Sequence, residues 1–183
     1  MELHQGKLLV AEPSILGDAN FHRSVVLLVN HKTTASLGFI INKPFDFLLK
    51  DVLPEINCPI EIHYGGPVEP DNLYFIHNSP KLIPGSIEIN EDLYWGGDFE
   101  TVIKLLNEDV IGAENIRFFL GYSGWGENQL ETEIELNSWI IKENFIGNKL
   151  INVDSKSFWS KQIKSLGGEY LIWGNAPENP NLN

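Results

Sequence analysis

The 183-residue sequence predicts a single α+β domain, and three observations support that class. Its hydrophobic fraction of 43% is large enough for a core, and its charged fraction of 21% is too low for a disordered chain. Short apolar runs that end at glycine, proline or asparagine dominate the first two-thirds of the chain, whereas the longer helical patterns come late. Strands followed by helices, without regular alternation of the two, are typical of α+β folds.

Six apolar runs are predicted to be strands because they are short and rich in valine, isoleucine, phenylalanine and tyrosine. They cover residues 7–11, 24–29, 38–41, 61–64, 73–77 and 116–120. Residues 25–29 are apolar at every position, so we expect that strand to be buried on both faces. The polar loop from His31 to Ser36 predicts a hairpin between the second run and the third.

Two helices are predicted from cap residues and apolar stripes. Asp98 precedes apolar residues at i, i+3, i+4 and i+7, which line one side of a helix. Asp154 or Ser155 can cap a second helix, which the glycine pair at 167–168 ends. The apolar residues expected on the buried sides of these helices are Phe99, Val102, Ile103, Leu106, Trp159, Ile163 and Leu166.

Two weaker helical patterns complete the list of predicted elements. They are a short helix that contains Leu130 and Ile134, and a helical turn over residues 47–53 that Pro54 ends. The chain shows no internal repeat, so we predict one domain over residues 1–174. Residues 175–183 contain two prolines and four asparagines and are predicted to be a C-terminal tail.

The chain is acidic, and its charge is unevenly distributed. Thirteen lysines and arginines against twenty-five acids give a net charge of −12, and twelve of the acids lie between Glu88 and Glu135. Binding to nucleic acid or to an anionic membrane by electrostatics needs a surplus of cations, so the composition argues against direct contact with either. We expect the acidic segment to be a solvated face. The alternative is a docking surface for a basic protein partner.

Three features favour the cytoplasm. The amino terminus lacks the basic start and the roughly 7–15 apolar residues of a signal peptide. No apolar run approaches the about 20 residues that a membrane-spanning helix needs. The single cysteine, Cys58, cannot form an internal disulfide, which is typical of a reducing compartment.

No histidine or cysteine spacing typical of a metal site occurs, so neither a metal nor another cofactor is expected.

The glycine-rich segment at residues 121–126 is the first candidate for chemistry. It differs by one residue from the G-x-S-x-G nucleophile elbow, because Trp125 replaces the last glycine. All five histidines precede Ser123, which excludes the chain order of α/β-hydrolases but not other arrangements of serine, histidine and acid. The alternative is a tight turn in which the glycines adopt left-handed angles while Tyr122 and Trp125 pack.

A second glycine pair and a lone arginine extend this candidate site. Gly65-Gly66 follows a predicted strand and can face residues 121–126, as an anion site or as a simple tight turn. Arg23 is expected to bind a carboxylate or a backbone carbonyl at the end of its strand; alternatively, it binds an anion beside Lys43. If the loops converge, the ligand-binding residues are Arg23, Asn42, Gly65, Gly66, Tyr122, Ser123 and Trp125.

Four motifs, by their order and spacing, resemble the YqgE/AlgH family. They are F-x-R-S-V-V-L-L at 21–28 followed by His31, G-F-I-I-N-K-P at 38–44, G-G-P-V at 65–68, and G-Y-S-G-W-G at 121–126 followed by Q-L-E at 129–131. The match extends from about Gly6 to Leu166. The resemblance implies one α+β domain of coiled, branching β-sheets with a few helices packed outside. It also implies that alanine is accepted in place of Ser123, which argues against a nucleophile there.

The resemblance implies no established enzymatic activity, and one branch of the family is labelled a transcriptional regulator from a genetic association with alginate production. No helix–turn–helix pattern is visible, and the net charge of −12 would repel DNA. The sequence therefore predicts a non-catalytic binding or regulatory module for an unknown protein or a small anionic ligand. The alternatives are a small hydrolase or isomerase, with His31 or His63 as a base near Ser123 or Asp18, and a DNA-binding regulator.

Overall fold

The computed structural model describes residues 2–13 and 18–177, and ten strands in this part form one branched sheet. Every strand pair is antiparallel except one, so the predicted α+β class with a mostly antiparallel sheet is confirmed. The strands are β1 (Leu8–Ala11), β2 (Val25–Lys32), β3 (Ala35–Ile40), β4 (Pro44–Leu48), β5 (Glu61–Tyr64), β6 (Val68–His77), β7 (Ile87–Asn90), β8 (Leu93–Trp95), β9 (Ile116–Trp125) and β10 (Trp139–Lys142).

The sheet branches at β9. Its main path runs in the order β10-β1-β2-β3-β9-β6-β8-β7, and the β4–β5 pair attaches to β9 from the side. Residues 116–120 of β9 pair with β6 on one edge, and residues 118–120 pair in parallel with β5 on the other. Residues 123–125 pair with β3 instead. The branching sheet that the resemblance implies is therefore present, and it places the ends of β3 and β5 beside residues 120–123 of β9.

The predicted hairpin and the predicted two-sided burial of residues 25–29 are both confirmed. β2 pairs with β3, and each residue from Val25 to Val29 is at most 1% exposed. Alternate side chains enter two different cores, since Val25 and Leu27 belong to one and Val26 belongs to the other. This strand is continuously apolar because neither of its faces meets water.

Five α-helices and one 3-10 helix pack around this sheet in the described residues. They are α1 (Leu49–Val52), α2 (Phe99–Asn107), α3 (Gln129–Glu135), the 3-10 helix (Gly147–Asn152), α4 (Ser155–Lys164) and α5 (Tyr170–Asn175). Asp98 caps α2 as predicted, because its carboxylate accepts a hydrogen bond of 2.9 Å from the Thr101 N–H. α4 buries Phe158, Trp159 and Ile163 in the same core as Val25 and Leu27.

Several sequence expectations need correction. Residues 121–125 continue β9 and do not form a turn, because Tyr122 pairs with β6 and residues 123–125 pair with β3. The left-handed angle expected of a glycine is present at Gly121, whose φ is +70°. Residues 47–48 belong to β4, which leaves only four helical residues in the predicted turn. Leu166 lies beyond the end of α4 and is 38% exposed, so it is not part of the buried face. β7, β8, β10 and α5 were not expected from the sequence pattern.

The carboxy-terminal segment contacts the rest of the chain. Asn175, which the sequence assigns to the tail, is the last residue of α5, and Ala176 and Pro177 follow it. Residues 178–183 of the predicted tail lie outside the described residues. No helix in the described part of the chain combines the length and the apolar character that crossing a membrane requires.

Candidate functional site

The two glycine clusters lie side by side, as expected, but their backbones fill the space between them. The Gly65 N–H donates a hydrogen bond of 2.8 Å to the Leu120 carbonyl. A Cβ atom at Gly65 would lie 2.2 Å from the Gly121 carbonyl oxygen, and one at Gly66 would lie 2.3 Å from the Tyr122 carbonyl. We call Gly65, Gly66, Gly121 and Ser123 the glycine seam. Glycine is required at the three glycine positions of the seam, because the β5–β6 connection and β9 approach each other more closely than a methyl group allows.

Ser123 belongs to this seam and is fully buried. Its hydroxyl donates a hydrogen bond of 3.0 Å to the Gly65 carbonyl and so ties β9 to the end of β5. The histidines considered as bases contact other serines: His31 Nδ1 lies 2.7 Å from Ser36 Oγ, and His63 Nε2 lies 3.1 Å from Ser155 Oγ. Ser123 itself lies within strand β9. The serine of a nucleophile elbow instead lies on an exposed strand-to-helix turn.

Tyr122 and Trp125 line a hollow of about 390 Å³ beside β3, together with Ser36. The Trp125 indole N–H donates a hydrogen bond of 2.9 Å to Glu133 Oε2. Arg23 and Asn42 line a different hollow. The structure thus divides the predicted site residues among the glycine seam and two separate openings, instead of bringing them to one pocket.

The hollow at Arg23, which we call the outer hollow, has a volume of about 390 Å³. It lies where the residues before β2 and after β3 meet the first two turns of α4. Its lining residues are Arg23, Asn42, Lys43, Pro44, Ser155, Lys156, Trp159 and Ser160. Arg23, Asn42 and Lys43 could be predicted from the sequence, whereas the four residues of α4 could not.

Arg23 is held from two sides. Its Nη2 donates hydrogen bonds to the carbonyls of Ala176 at 2.9 Å and Pro177 at 3.0 Å, and its guanidinium stacks 4.9 Å from the centre of the Trp159 ring. The expected backbone carbonyl partners are present, but they belong to the carboxy-terminal segment and not to the strand end. Arg23 also has a φ of +52°, a left-handed conformation that is uncommon for a residue other than glycine.

Asn42 fixes the backbone of Arg23. Its Oδ1 accepts a hydrogen bond of 2.7 Å from the Val25 N–H, and its Nδ2 donates one of 2.9 Å to the Arg23 carbonyl. These two bonds flank Ser24 and hold the carbonyl group of the left-handed Arg23 at the start of β2. Asn42 therefore positions Arg23 from the wall of the outer hollow.

The outer hollow concentrates positive charge in an acidic protein. Arg23, Lys43 and Lys156 line it, and the lining supplied by the described residues contains no carboxylate. The Lys43 ammonium also donates a hydrogen bond of 2.7 Å to the Asn20 carbonyl, which fixes its position near the rim. Clefts lined by one sign of charge raise the local concentration of the opposite charge. The hollow is therefore suited to an anion even though the net charge of the chain is −12.

A buried basic cluster lies behind Ser155. Arg117 is only 5% exposed; its Nη1 donates to the carbonyls of Leu150 and Ile151 at 3.1 and 3.0 Å. Its Nη2 donates to Ser155 Oγ and to His63 Nε2, both at 2.7 Å. Burial lowers the pKa of Arg117 to about 10, while nearby Glu61 acts in the opposite direction, so the guanidinium stays charged at neutral pH.

His63 in this cluster is neutral. Burial, reinforced by the charge of Arg117, lowers the pKa of His63 to about 3. Arginine is a donor only, so Nε2 must accept its hydrogen bond, which assigns the proton of the neutral ring to Nδ1. A histidine with so low a pKa does not accept a proton at neutral pH, which argues against His63 as a general base. The sequence signal for this cluster is the single arginine inside the apolar run of residues 116–120.

Comparisons with known proteins agree with this architecture. The AlgH-like family matches residues 8–171 of the chain. A UPF0301 protein of Cytophaga hutchinsonii is 42% identical over 183 residues, which cover 99% of this chain and 100% of that protein. A UPF0301 protein of Chlorobium phaeobacteroides is 44% identical over 186 residues, which cover 100% of this chain and 97% of that protein.

Two solved structures share the fold. The solution structure of the AlgH protein from Pseudomonas aeruginosa superposes with a TM-score of 0.73 at 25% identity, covering 98% of this chain and 100% of that one. A crystal structure of a Corynebacterium diphtheriae protein gives a TM-score of 0.74 at 20% identity, covering 96% of this chain and 94% of that one. The match to residues 8–171 and the identities above 40% over whole chains show that this protein belongs to the AlgH-like, or UPF0301, family.

Proposed function

We propose that this protein is a non-catalytic cytoplasmic binding module that holds a small anionic ligand in the outer hollow. The observation that supports this function is the convergence of Arg23, Lys43 and Lys156 on one opening. Arginine and lysine side chains form charge-assisted hydrogen bonds with anions, so an anion in this opening has suitable ligands. The lone cysteine, which cannot form an internal disulfide, supports the cytoplasmic location.

The shape and chemistry of the outer hollow favour a small organic anion, such as a phosphorylated or carboxylated metabolite. Its volume of about 390 Å³ falls in the lower part of the range for small-molecule sites. Trp159 and Pro44 supply apolar wall, and Ser155 and Ser160 supply hydroxyl groups. Apolar walls with a few well-placed polar groups are typical of such sites.

A regulatory role follows from the partners of Arg23. A ligand that binds Nη2 of Arg23 competes with the carbonyls of Ala176 and Pro177 for that nitrogen. Occupation of the hollow would therefore loosen the contact between Arg23 and the carboxy-terminal segment. A protein partner that binds this segment would then distinguish the ligand-bound protein from the free protein. A net charge of −12 makes direct contact with DNA the less favourable route to regulation.

Two lysines of one helix provide a matched test. Lys156 lines the outer hollow, whereas Lys161 lies on the exposed surface of α4 and is not among the residues that line it. A panel of phosphorylated and carboxylated metabolites is screened by thermal shift, and the affinity of each stabilising compound is measured by calorimetry. We expect Lys156→Gln to weaken binding roughly fivefold to tenfold, equivalent to about 1 kcal/mol, while Lys161→Gln leaves it unchanged.

Two results would contradict the proposal. In the first, no anion of the panel stabilises the protein at millimolar concentration. In the second, Lys156→Gln and Lys161→Gln weaken binding equally, which would show that only the overall charge matters and not the outer hollow.

A further inference from the structure

A smaller opening, which we call the inner hollow, lies on the other side of the buried basic cluster. It has a volume of about 190 Å³ and is lined by residues of β5, the start of β9 and the 3-10 helix, with His63 and Arg117 in its wall. The share of liquid volume per water molecule is about 30 Å³, so the inner hollow has room for several waters or for one small polyatomic ion. Glu61 and Ala113 also line it.

Among the residues that the structure describes, no buried carboxylate pairs with the positive charge of Arg117. All four hydrogen-bond acceptors of its terminal nitrogens are neutral: two carbonyls, the Ser155 hydroxyl and the neutral His63 ring. The carboxylate facing this cluster is that of Glu61, whose Oε2 lies 3.9 Å from His63 Nε2 and whose side chain is 66% exposed. A buried charge paired only with neutral groups is costly, because hydrogen bonds replace only part of the lost solvation.

Two buried donors in this wall also lack partners. Arg117 Nε and His63 Nδ1 are both inaccessible to solvent in the folded chain and have no hydrogen-bond acceptor. The Phe118 carbonyl slightly favours the charged form of His63, but it does not form a hydrogen bond of normal geometry with Nδ1. Buried donors almost always have partners, so a pair of orphans beside a hollow indicates that an acceptor belongs there.

We propose that the inner hollow is a second anion site, which takes one phosphate- or carboxylate-sized oxyanion with Arg117 as its main ligand. An oxyanion in the hollow places a negative charge beside the buried guanidinium, whereas a water molecule supplies only a hydrogen-bond acceptor. The oxyanion can be a free ion or the terminal group of a larger molecule that enters past Ala113. This site is separate from the outer hollow, although Ser155 contacts the cluster and lines the outer hollow.

The chain contains two arginines, one in each hollow, so an NMR spectrum of the arginine Nε–H groups reports on both sites separately. The full chain is titrated with inorganic phosphate, acetate and methyl phosphate, and with sodium chloride at matched ionic strength. We expect phosphate to shift the Arg117 Nε–H signal with saturation, while chloride leaves it unchanged. A response to free phosphate indicates a free ion; a stronger response to methyl phosphate indicates the end of a larger molecule.

Two variants test whether the Arg117 signal reports the inner hollow. Ala113 is exposed at the lining, so Ala113→Leu narrows the hollow without removing a charge and should abolish the Arg117 shift. Glu61→Gln removes the competing carboxylate and should strengthen phosphate binding several-fold. Unchanged amide spectra verify that both variants fold.

Each contrary outcome has a distinct meaning. If only the Arg23 signal responds, the outer hollow binds an anion and the proposal of a second site in the inner hollow is wrong. If only the Arg117 signal responds, the second site stands without the proposed function. A shift that persists in Ala113→Leu overturns the inner hollow as its origin. A Glu61→Gln variant that loses stability without gaining phosphate affinity shows that Glu61 is the counterion, and it overturns the proposal as well.

Discussion

The glycine seam and the outer hollow are built from the same predicted set of residues, yet they differ in every physical respect. The seam is buried, uncharged and filled by backbone, since even a methyl group at Gly65 would lie 2.2 Å from a carbonyl oxygen. The outer hollow is open and carries three cations on its wall. Glycine permits close approach of a backbone to a ligand or to another backbone, and a sequence does not distinguish the two. The charged neighbours of a hollow are the better indicator of a ligand site.

The largest effect is expected for a methyl group placed in the seam. Gly65→Ala should destabilise the protein by about 3 kcal/mol, because the new Cβ meets backbone atoms of β9 that cannot move aside. The measurement is the free energy of unfolding in urea. The control is Gly126→Ala, where the nearest atom to the new Cβ, Gln129 Oε1, is 3.9 Å away and we expect little change. Equal stability of the two variants would show that the backbones at the glycine seam leave room for a methyl group.

The next effect concerns His63, which is buried in the wall of the inner hollow. His63 has a pKa of about 3 in the folded protein and an ordinary value of 6.5, so the unfolded chain binds a proton in this interval that the folded chain does not. Stability therefore falls as the pH drops from 6.5 toward 3, by up to about 1.4 kcal/mol per pH unit from this residue. We expect His63→Gln to show a shallower loss of stability than the wild type between pH 6.5 and 4.5. Parallel pH profiles would contradict a neutral buried His63.

A third prediction tests how Arg23 is positioned. Asn42→Ala removes the partners of the Val25 N–H and the Arg23 carbonyl and should cost about 2 kcal/mol of unfolding free energy. Anion affinity should fall as well, because Arg23 loses the bonds that hold its left-handed backbone. Asn57→Ala alters an exposed side chain and should change stability by less than about 0.5 kcal/mol. If Asn42→Ala weakens neither stability nor binding, Asn42 is not a positioning residue.

The smallest effect is expected for Ser123→Ala. The Ser123 hydroxyl donates one hydrogen bond to the Gly65 carbonyl, which also accepts a bond of 2.9 Å from the Ile40 N–H. Because that carbonyl keeps a partner, the loss of unfolding free energy should be about 1 kcal/mol or less. Anion affinity, measured by calorimetry, should not change. A large loss of binding would return Ser123 to the functional site.

The strands with long apolar runs could be predicted from the sequence, because burial on one or both faces leaves a continuous or alternating pattern. β7 escaped prediction because it has only four residues and one of its two isoleucines, Ile87, is exposed, so its apolar pattern is too short to stand out. α5 escaped because it contains Gly174 and leaves Leu171 and Ile172 exposed, so no apolar stripe marks it. Both elements are defined by what they pack against, which a local pattern does not contain.

The candidate site could be predicted only in part. Arg23, Asn42 and Lys43 are neighbours because a hairpin joins β2 to β3, and a hairpin is visible in the sequence. The contributions of Ser155 and Lys156 depend on how α4 docks against those loops, and they come from more than a hundred residues further along the chain. Such long-range contacts arise from core packing, and nothing in the local sequence specifies them.

The position of β9 in the chain has a consequence for protein synthesis. β9 is the shared partner of β3, β5 and β6, but all three are translated before it. Until residue 125 leaves the ribosome, these strands lack the neighbour that closes their edges, and unpaired edges promote association between nascent chains. Translation that stops before β9 therefore produces an aggregation-prone fragment. Completion of the sheet depends on the last third of the polypeptide.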